Sequence, residues 1–193
     1  MSIKNFAQIR AEDRSLGGKA RGLAVLSQKG FPVPPGVVVE GTLQDSDWPA
    51  ILKWWQNEGT PALAVRSSSG CEDSANFSFA GQNQTFLNVK TEDELKLAIK
   101  KCFASVDREA SRAYRKHFLT TEDSLSEEKN DDPNDAKMNV VLQTMVQPLF
   151  SGVFFSHDPR TGKKEWLLEV VPGYGEKLVS GKVTPGRYSE TGA

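Results

Sequence analysis

Residues 64–86 read AVRSSSGCEDSANFSFAGQNQTF, and the organisation of the chain follows from them. The apolar run at 62–65 has the length and composition of a buried strand. It delivers Arg66 and three serines, Ser67, Ser68 and Ser69, into a turn at Gly70. A guanidinium offers a planar fork of donors that matches phosphate oxygens two at a time. Hydroxyls and loop amides behind a strand add uncharged donors, and a glycine lets backbone approach a ligand closely. The acidic pair Glu72 and Asp73 either holds the arginine in place or lies near a metal. Phe77, Phe79 and Phe86, interleaved with Gly81 and the amides Gln82, Asn83 and Gln84, supply an aromatic wall. Taken alone, the simpler account of this pattern is an arginine paired with Glu72 or Asp73 and nothing more.

Upstream, Gly17-Gly18-Lys19-Ala20 opens a helical pattern that carries Ala20, Leu23 and Leu26 on one side and stops at Gly30. Free amides and the positive end of the helix dipole favour an anion there, and Lys19 adds a full charge. The spacing is not that of the GxxxxGK[ST] loop, and a lysine in a first helical turn is by itself usually only solvated. The proline-rich stretch Phe31–Gly36 excludes helix and leads into Val37-Val38-Val39, a strand. Asp45-Ser46-Asp47 caps a helix with Pro49 in its first turn and Ile51, Leu52, Trp54 and Trp55 as packing residues. Residues 1–16 hold a short element at most, packed through Phe6, Ile9 and Leu16.

Downstream, Thr85 to Val89 is a strand. Thr91 and Glu94 form a capping box for a helix through Leu95, Ile99, Cys102 and Phe103, and a further helix is expected over about 108–118. Residues 121–137, TEDSLSEEKNDDPNDAK, are acidic and nearly free of apolar side chains, which predicts a mobile loop. They lack the DxDxDG spacing of a calcium loop. Residues 139–146, 153–156 and 166–171 follow as strands of a meander, and another hairpin starts at Arg187-Tyr188. The expected domains are an N-terminal lobe over 1–120, the acidic loop over 121–137, and a β-meander lobe over 138–193.

The 193 residues suffice for one sizeable core or two small lobes. A net charge of -1 leaves no basic excess for nucleic acid or an anionic membrane. No run approaches the length of a membrane span, and the charged start of the chain lacks a signal sequence. The two cysteines, Cys71 and Cys102, are far apart and form no CxxC. That fits a reducing compartment and predicts a cytoplasmic protein.

Five blocks in order, GGKARGLAVL, GFPVPPGVVV, AVRSSSGCEDSANFSFAGQNQTFLNV, VVLQTMVQPLFSGVFFSHDPRTG and GYGEKLVSGKVTPGRY, resemble the N-terminal nucleotide-binding region of the phosphoenolpyruvate synthase and pyruvate phosphate dikinase family. Rifampicin phosphotransferase and the glucan water dikinases share that region. The resemblance implies an ATP-grasp-like α/β fold of mixed and antiparallel sheets flanked by helices, holding ATP and Mg2+ between two lobes. It implies that Lys19 and Arg66 contact the nucleotide phosphates and that Thr85 lines the site with its hydroxyl. Gln143, Met145 and Val146 fall on the strand that meets adenine, and Glu169 and Glu176 on acidic positions nearby. It also implies that the metal ligands and the phosphate-carrying histidine lie beyond this sequence, so that no metal ligand is assigned within it. A second chain supplying the missing parts, or self-association, would then complete the protein. His117 and His157 lack the context of the carrier histidine. The isolated chain is accordingly expected to turn over poorly or not at all.

Overall fold

Val37, Val38 and Val39 are consecutive, and all three are buried. Successive strand residues face opposite ways, so this strand must be covered on both sides. The computed structural model, which describes residues 3–41, 44–69, 84–104 and 138–190, shows how. The chain divides into two units, residues 1–145 and residues 146–193.

In the first unit, strands β1 (Ile3–Asn5), β2 (Gly36–Glu40), β3 (Leu63–Ser69), β4 (Thr85–Val89) and β5 (Met138–Thr144) form a sheet of order β1-β2-β5-β3-β4. Every neighbouring pair is antiparallel. One face carries Val37, Val39, Leu63, Val65, Val140 and Leu142. It packs on Ile51 and Trp55 of helix α2 (Trp48–Asn57) and on Leu95, Ile99 and Cys102 of helix α3 (residues 92–104). The opposite face carries Val38 and Val141 and packs on Ala20 and Ala24 of helix α1 (Gly18–Gln28), with Phe6, Ile9 and Leu16. Gly36 makes room for the Phe6 ring, since a Cβ there would lie 2.7 Å from its Cζ.

Sequence-local signals set the element ends. Thr91 Oγ1 accepts from Glu94 N at 3.2 Å, and Glu94 Oε2 accepts from Thr91 N at 3.1 Å, the expected capping box. At α2 the arrangement differs. Asp45–Asp47 is a short 3-10 turn, and the Asp47 carboxylate accepts from Gln44 N at 2.8 Å instead of capping the helix that follows. Residues 3–16 are more structured than expected, with β1 and two 3-10 turns burying Phe6, Ile9 and Leu16.

The expected boundary at residue 138 is displaced. β5 is not the start of the meander but the central strand of the first sheet, paired with β2 on one side and β3 on the other. Its run of buried residues, Met138 to Gln143, reflects that position between two helical layers. The acidic segment 121–137 and the helix expected over 108–118 lie outside the described residues.

The second unit is an antiparallel meander of β6 (Phe150–Phe155), β7 (Leu167–Pro172) and β8 (Gly186–Ser189), with a short helix α4 (Glu176–Val179) in the glycine-bearing loop. No helix among the described residues is long and apolar enough to cross a membrane.

Candidate functional site

The junction between α1 and the end of β3 is built from polar side chains that are fully inside the protein. Gly17 is the N-cap of α1 at φ +82, ψ 161, a conformation open to essentially no other residue, and it brings no capping oxygen. Ser68 supplies one from another strand. Its hydroxyl accepts from Ala20 N at 3.3 Å and donates to Leu16 O at 2.9 Å. A Cβ on Gly17 would lie 2.5 Å from that Oγ and 2.7 Å from the Ser69 backbone N and O, so glycine is also required for the close approach. Asn139 pairs with Ser68 across β5 and β3, and its Nδ2 donates to Ser15 O at 2.6 Å.

The α1 start thus lies against the strand that carries Arg66. Arg66 pairs with Thr85 on one side and Val141 on the other. Directly opposed residues share a face, and that face is the one α1 covers through Val141. Arg66 is half-buried and Thr85 exposed. Lys19, half-buried in the first turn of α1, acts electrostatically on the Cys102 thiol. Cys102 Sγ in turn is 4.0 Å from Gln84 O, beside the start of β4. Through Ser68, the start of α1 that carries Lys19 meets β3 two residues from Arg66, and Arg66 is paired with Thr85. Gln143 is on the same face one pair of residues further along, buried, with Nε2 donating to Pro34 O at 3.2 Å. Met145 follows β5, its N bonded to Ala62 O at 2.8 Å.

Burial pushes the Cys102 thiol up to about 12, with Lys19 pulling weakly the other way. At pH 8 the thiolate fraction is then roughly one part in 10,000, against about a quarter for an ordinary thiol. In a Cys71→Ser background, Cys102 should resist a thiol reagent in the native chain and react at once in denaturant. Stoichiometric labelling of the folded protein would contradict the burial.

Val146, Glu169 and Glu176 belong to the second unit. Val146 is exposed, and Glu176 opens α4 at the surface. Glu169 is tied across β7 and β8 to Arg187 at 2.8 Å. The turn after β6 is organised by Asp158. It accepts from Arg160 N at 2.8 Å, Nε at 3.2 Å and a terminal guanidinium nitrogen at 2.9 Å. The Arg160 side chain, with help from backbone amides, holds the Asp158 carboxyl below its ordinary value. A carboxylate held low stabilises the native state above its unfolded value, and the benefit is lost as pH falls through the lower native value. Asp158→Asn should therefore flatten the acid side of the stability profile below about pH 4. Urea midpoints taken across that range test it, and parallel curves for the two proteins would refute it.

One expectation changes. The serines after Arg66 do not form a phosphate-facing turn. β3 continues through Ser69, all three serines are buried, and Ser67 trades hydrogen bonds with the Gln84 backbone while Ser68 caps α1. The rest of the motif, residues 70–83 with Cys71, Glu72 and Asp73, lies outside the described residues. Asn139 was not foreseen. Its only trace in the sequence is a polar residue directly before the apolar run Val140 to Leu142.

Residues 49–191 match the family described as pyruvate phosphate dikinase, AMP/ATP-binding domain. The chain is 31% identical over 95% of its length to 24% of the uncharacterized phosphotransferase YvkC of Bacillus subtilis. It is 34% identical over 90% of its length to 26% of the phosphoenolpyruvate synthase of Aeropyrum pernix. A rifampicin phosphotransferase of Bacillus cereus is 38% identical over 66% of the chain and 14% of its own length. The chain thus spans about a quarter of the first two relatives. With antiparallel sheets flanked by helices and a phosphotransferase kinship along most of its length, the chain belongs to the pyruvate phosphate dikinase AMP/ATP-binding domain family.

Proposed function

We propose that the chain is the ATP-binding portion of a phosphotransferase of the phosphoenolpyruvate synthase and pyruvate phosphate dikinase type, with an ATP-grasp-like fold. The phosphoryl group of ATP would pass to a histidine on a separate domain and from there to an acceptor. The observation that supports the reading is that the start of α1, which carries Lys19, is held by Ser68 two residues from Arg66, and that Arg66 is paired with Thr85, in a chain most of which matches the family. Such a donor set fits a triphosphate, because charge-assisted bonds to phosphate are the strong ones. Catalysis would rest on positioning and charge neutralisation rather than on a protein nucleophile at this spot.

Gln143, Met145 and Val146 are proposed to meet the adenine, and Glu169 and Glu176 to line the acidic side. Magnesium accompanies the triphosphate in this reading. It needs only one or two carboxylates besides phosphate oxygens. Among the described residues, no group of three or more His, Cys, Asp or Glu side chains comes together. A cytoplasmic setting suits a nucleotide-dependent enzyme of this kind. Titration of the chain with ATP by calorimetry is the test. Binding in the micromolar to millimolar range is expected, and none at millimolar ATP overturns the proposal.

A second reading, a partner-docking module without catalysis, is favoured by one observation. Leu149, Phe150 and Phe154 of the second unit are 85%, 68% and 64% exposed. Exposed apolar residues in a run of this kind often mark a contact surface. A concentration-dependent dimer that binds no ATP would favour it.

A further inference from the structure

We propose that Ser68 and Asn139 act as a positioning clamp that sets where Lys19 stands relative to Arg66, and so tunes the site for the phosphate chain rather than for the base. The inference rests on the nucleotide reading above. Helix α1 starts on a glycine, which cannot cap it, so the start of the helix is fixed only by what other elements offer. Ser68 offers a hydroxyl that bridges Leu16 O and Ala20 N, the groups on either side of the Gly17–Lys19 turn. Asn139 fixes the preceding carbonyl of Ser15 from the neighbouring strand. Both side chains are buried, at 0% and 2% exposure, and the two residues are register partners, so the clamp is one cross-strand pair.

Arg66 is two residues from Ser68 on the same strand, and residues two apart lie on one face roughly 7 Å apart. A single short path therefore links the two cations: two residues of β3, one hydroxyl, and the first turn of α1. The path excludes the residues proposed for the base, since Gln143 is held separately by Pro34 O. Cutting the clamp leaves both charges in place but frees the α1 start to shift. A gripping pair that loses alignment loses most of its charge-assisted bonding.

The test uses the two halves of ATP as separate probes on the full chain, tripolyphosphate and adenosine. Ser68→Ala should weaken tripolyphosphate about tenfold, the scale of one misaligned charged hydrogen bond, and adenosine less than twofold. Asn139→Ala should do the same. Thermal unfolding on the same samples shows that each variant is folded, and Asn139→Ala keeps the test alive should Ser68→Ala fail to fold. A purely structural role would weaken both probes alike, and that result, or an unchanged tripolyphosphate affinity, overturns the clamp alone. A parent chain that binds neither tripolyphosphate nor ATP at millimolar concentration overturns the nucleotide reading and the clamp with it.

Discussion

Gly17→Ala should lower the stability of the chain by about 2–6 kcal/mol, more than Gly30→Ala. Both glycines have positive φ, +82 and +81, so an alanine at either is strained. That cost alone is about 1–2 kcal/mol in the left-handed region and about 1–3 kcal/mol at Gly17, whose ψ of 161 lies outside it. They differ in surroundings. Nothing lies within 4 Å of a Cβ added at Gly30, whereas at Gly17 the same atom meets the Ser68 hydroxyl at 2.5 Å and the Ser69 backbone at 2.7 Å. A side chain can rotate away, but the Ser69 backbone belongs to the paired strand β3 and cannot yield cheaply. Relief must come from moving α1, which strips the cap from Ala20 N and adds about 1–3 kcal/mol in overpacking and a lost cap. For a domain of this size, a few kcal/mol shifts the thermal midpoint by about 10–15 °C. Thermal unfolding of the two variants side by side checks it. Equal shifts would mean that only the dihedral matters and that the contact with β3 is slack.

The same junction shows what the sequence could and could not disclose. Val37 to Val39, the strand ending at Val89 and the Thr91–Glu94 cap were legible because each is decided within a few residues, by side-chain period or by a local hydrogen bond. The placement of β5 was not. Its partners, Gly36 to Glu40 and Leu63 to Ser69, are roughly 70 to 100 residues away in sequence, and nothing within 138–144 distinguishes a central strand from the first strand of a meander. The continuation of β3 through three serines ran against propensity, since serine competes for backbone hydrogen bonds and favours turns. It is permitted because Gln84 and the start of α1 satisfy the hydroxyls. Lys19 and Arg66 could be singled out by charge beside glycine and serine. Ser68 and Asn139 could not, because their role exists only once β3, β5 and α1 have met. The family resemblance supplied the order of the blocks and hence the ligand class, which spacing alone left open between a phosphate fork and an internal ion pair.

The largest effect on binding is expected when both cations are removed, and its form is more telling than its size. Lys19→Ala and Arg66→Ala should each weaken ATP by about 10- to 100-fold, the range for one hydrogen bond to a charged group. If the two side chains grip one triphosphate, the double variant should lose less than the product of the single losses, because either single change already loosens the phosphate chain that the other would hold. Residues that share a partner show coupling of about 0.5–3 kcal/mol, while sites more than about 7–10 Å apart without one are additive. AMP, with one phosphate, should show smaller single effects, and adenosine none. Strict additivity for ATP, with affinity for adenosine falling in step, would mean that Lys19 and Arg66 serve the fold from separate positions. The meeting of the α1 start with the strand of Arg66 would then have no bearing on a nucleotide. Coupling confined to ligands with a phosphate chain would show the two cations acting as one grip. That shared grip is the physical content of calling this segment an ATP-binding domain.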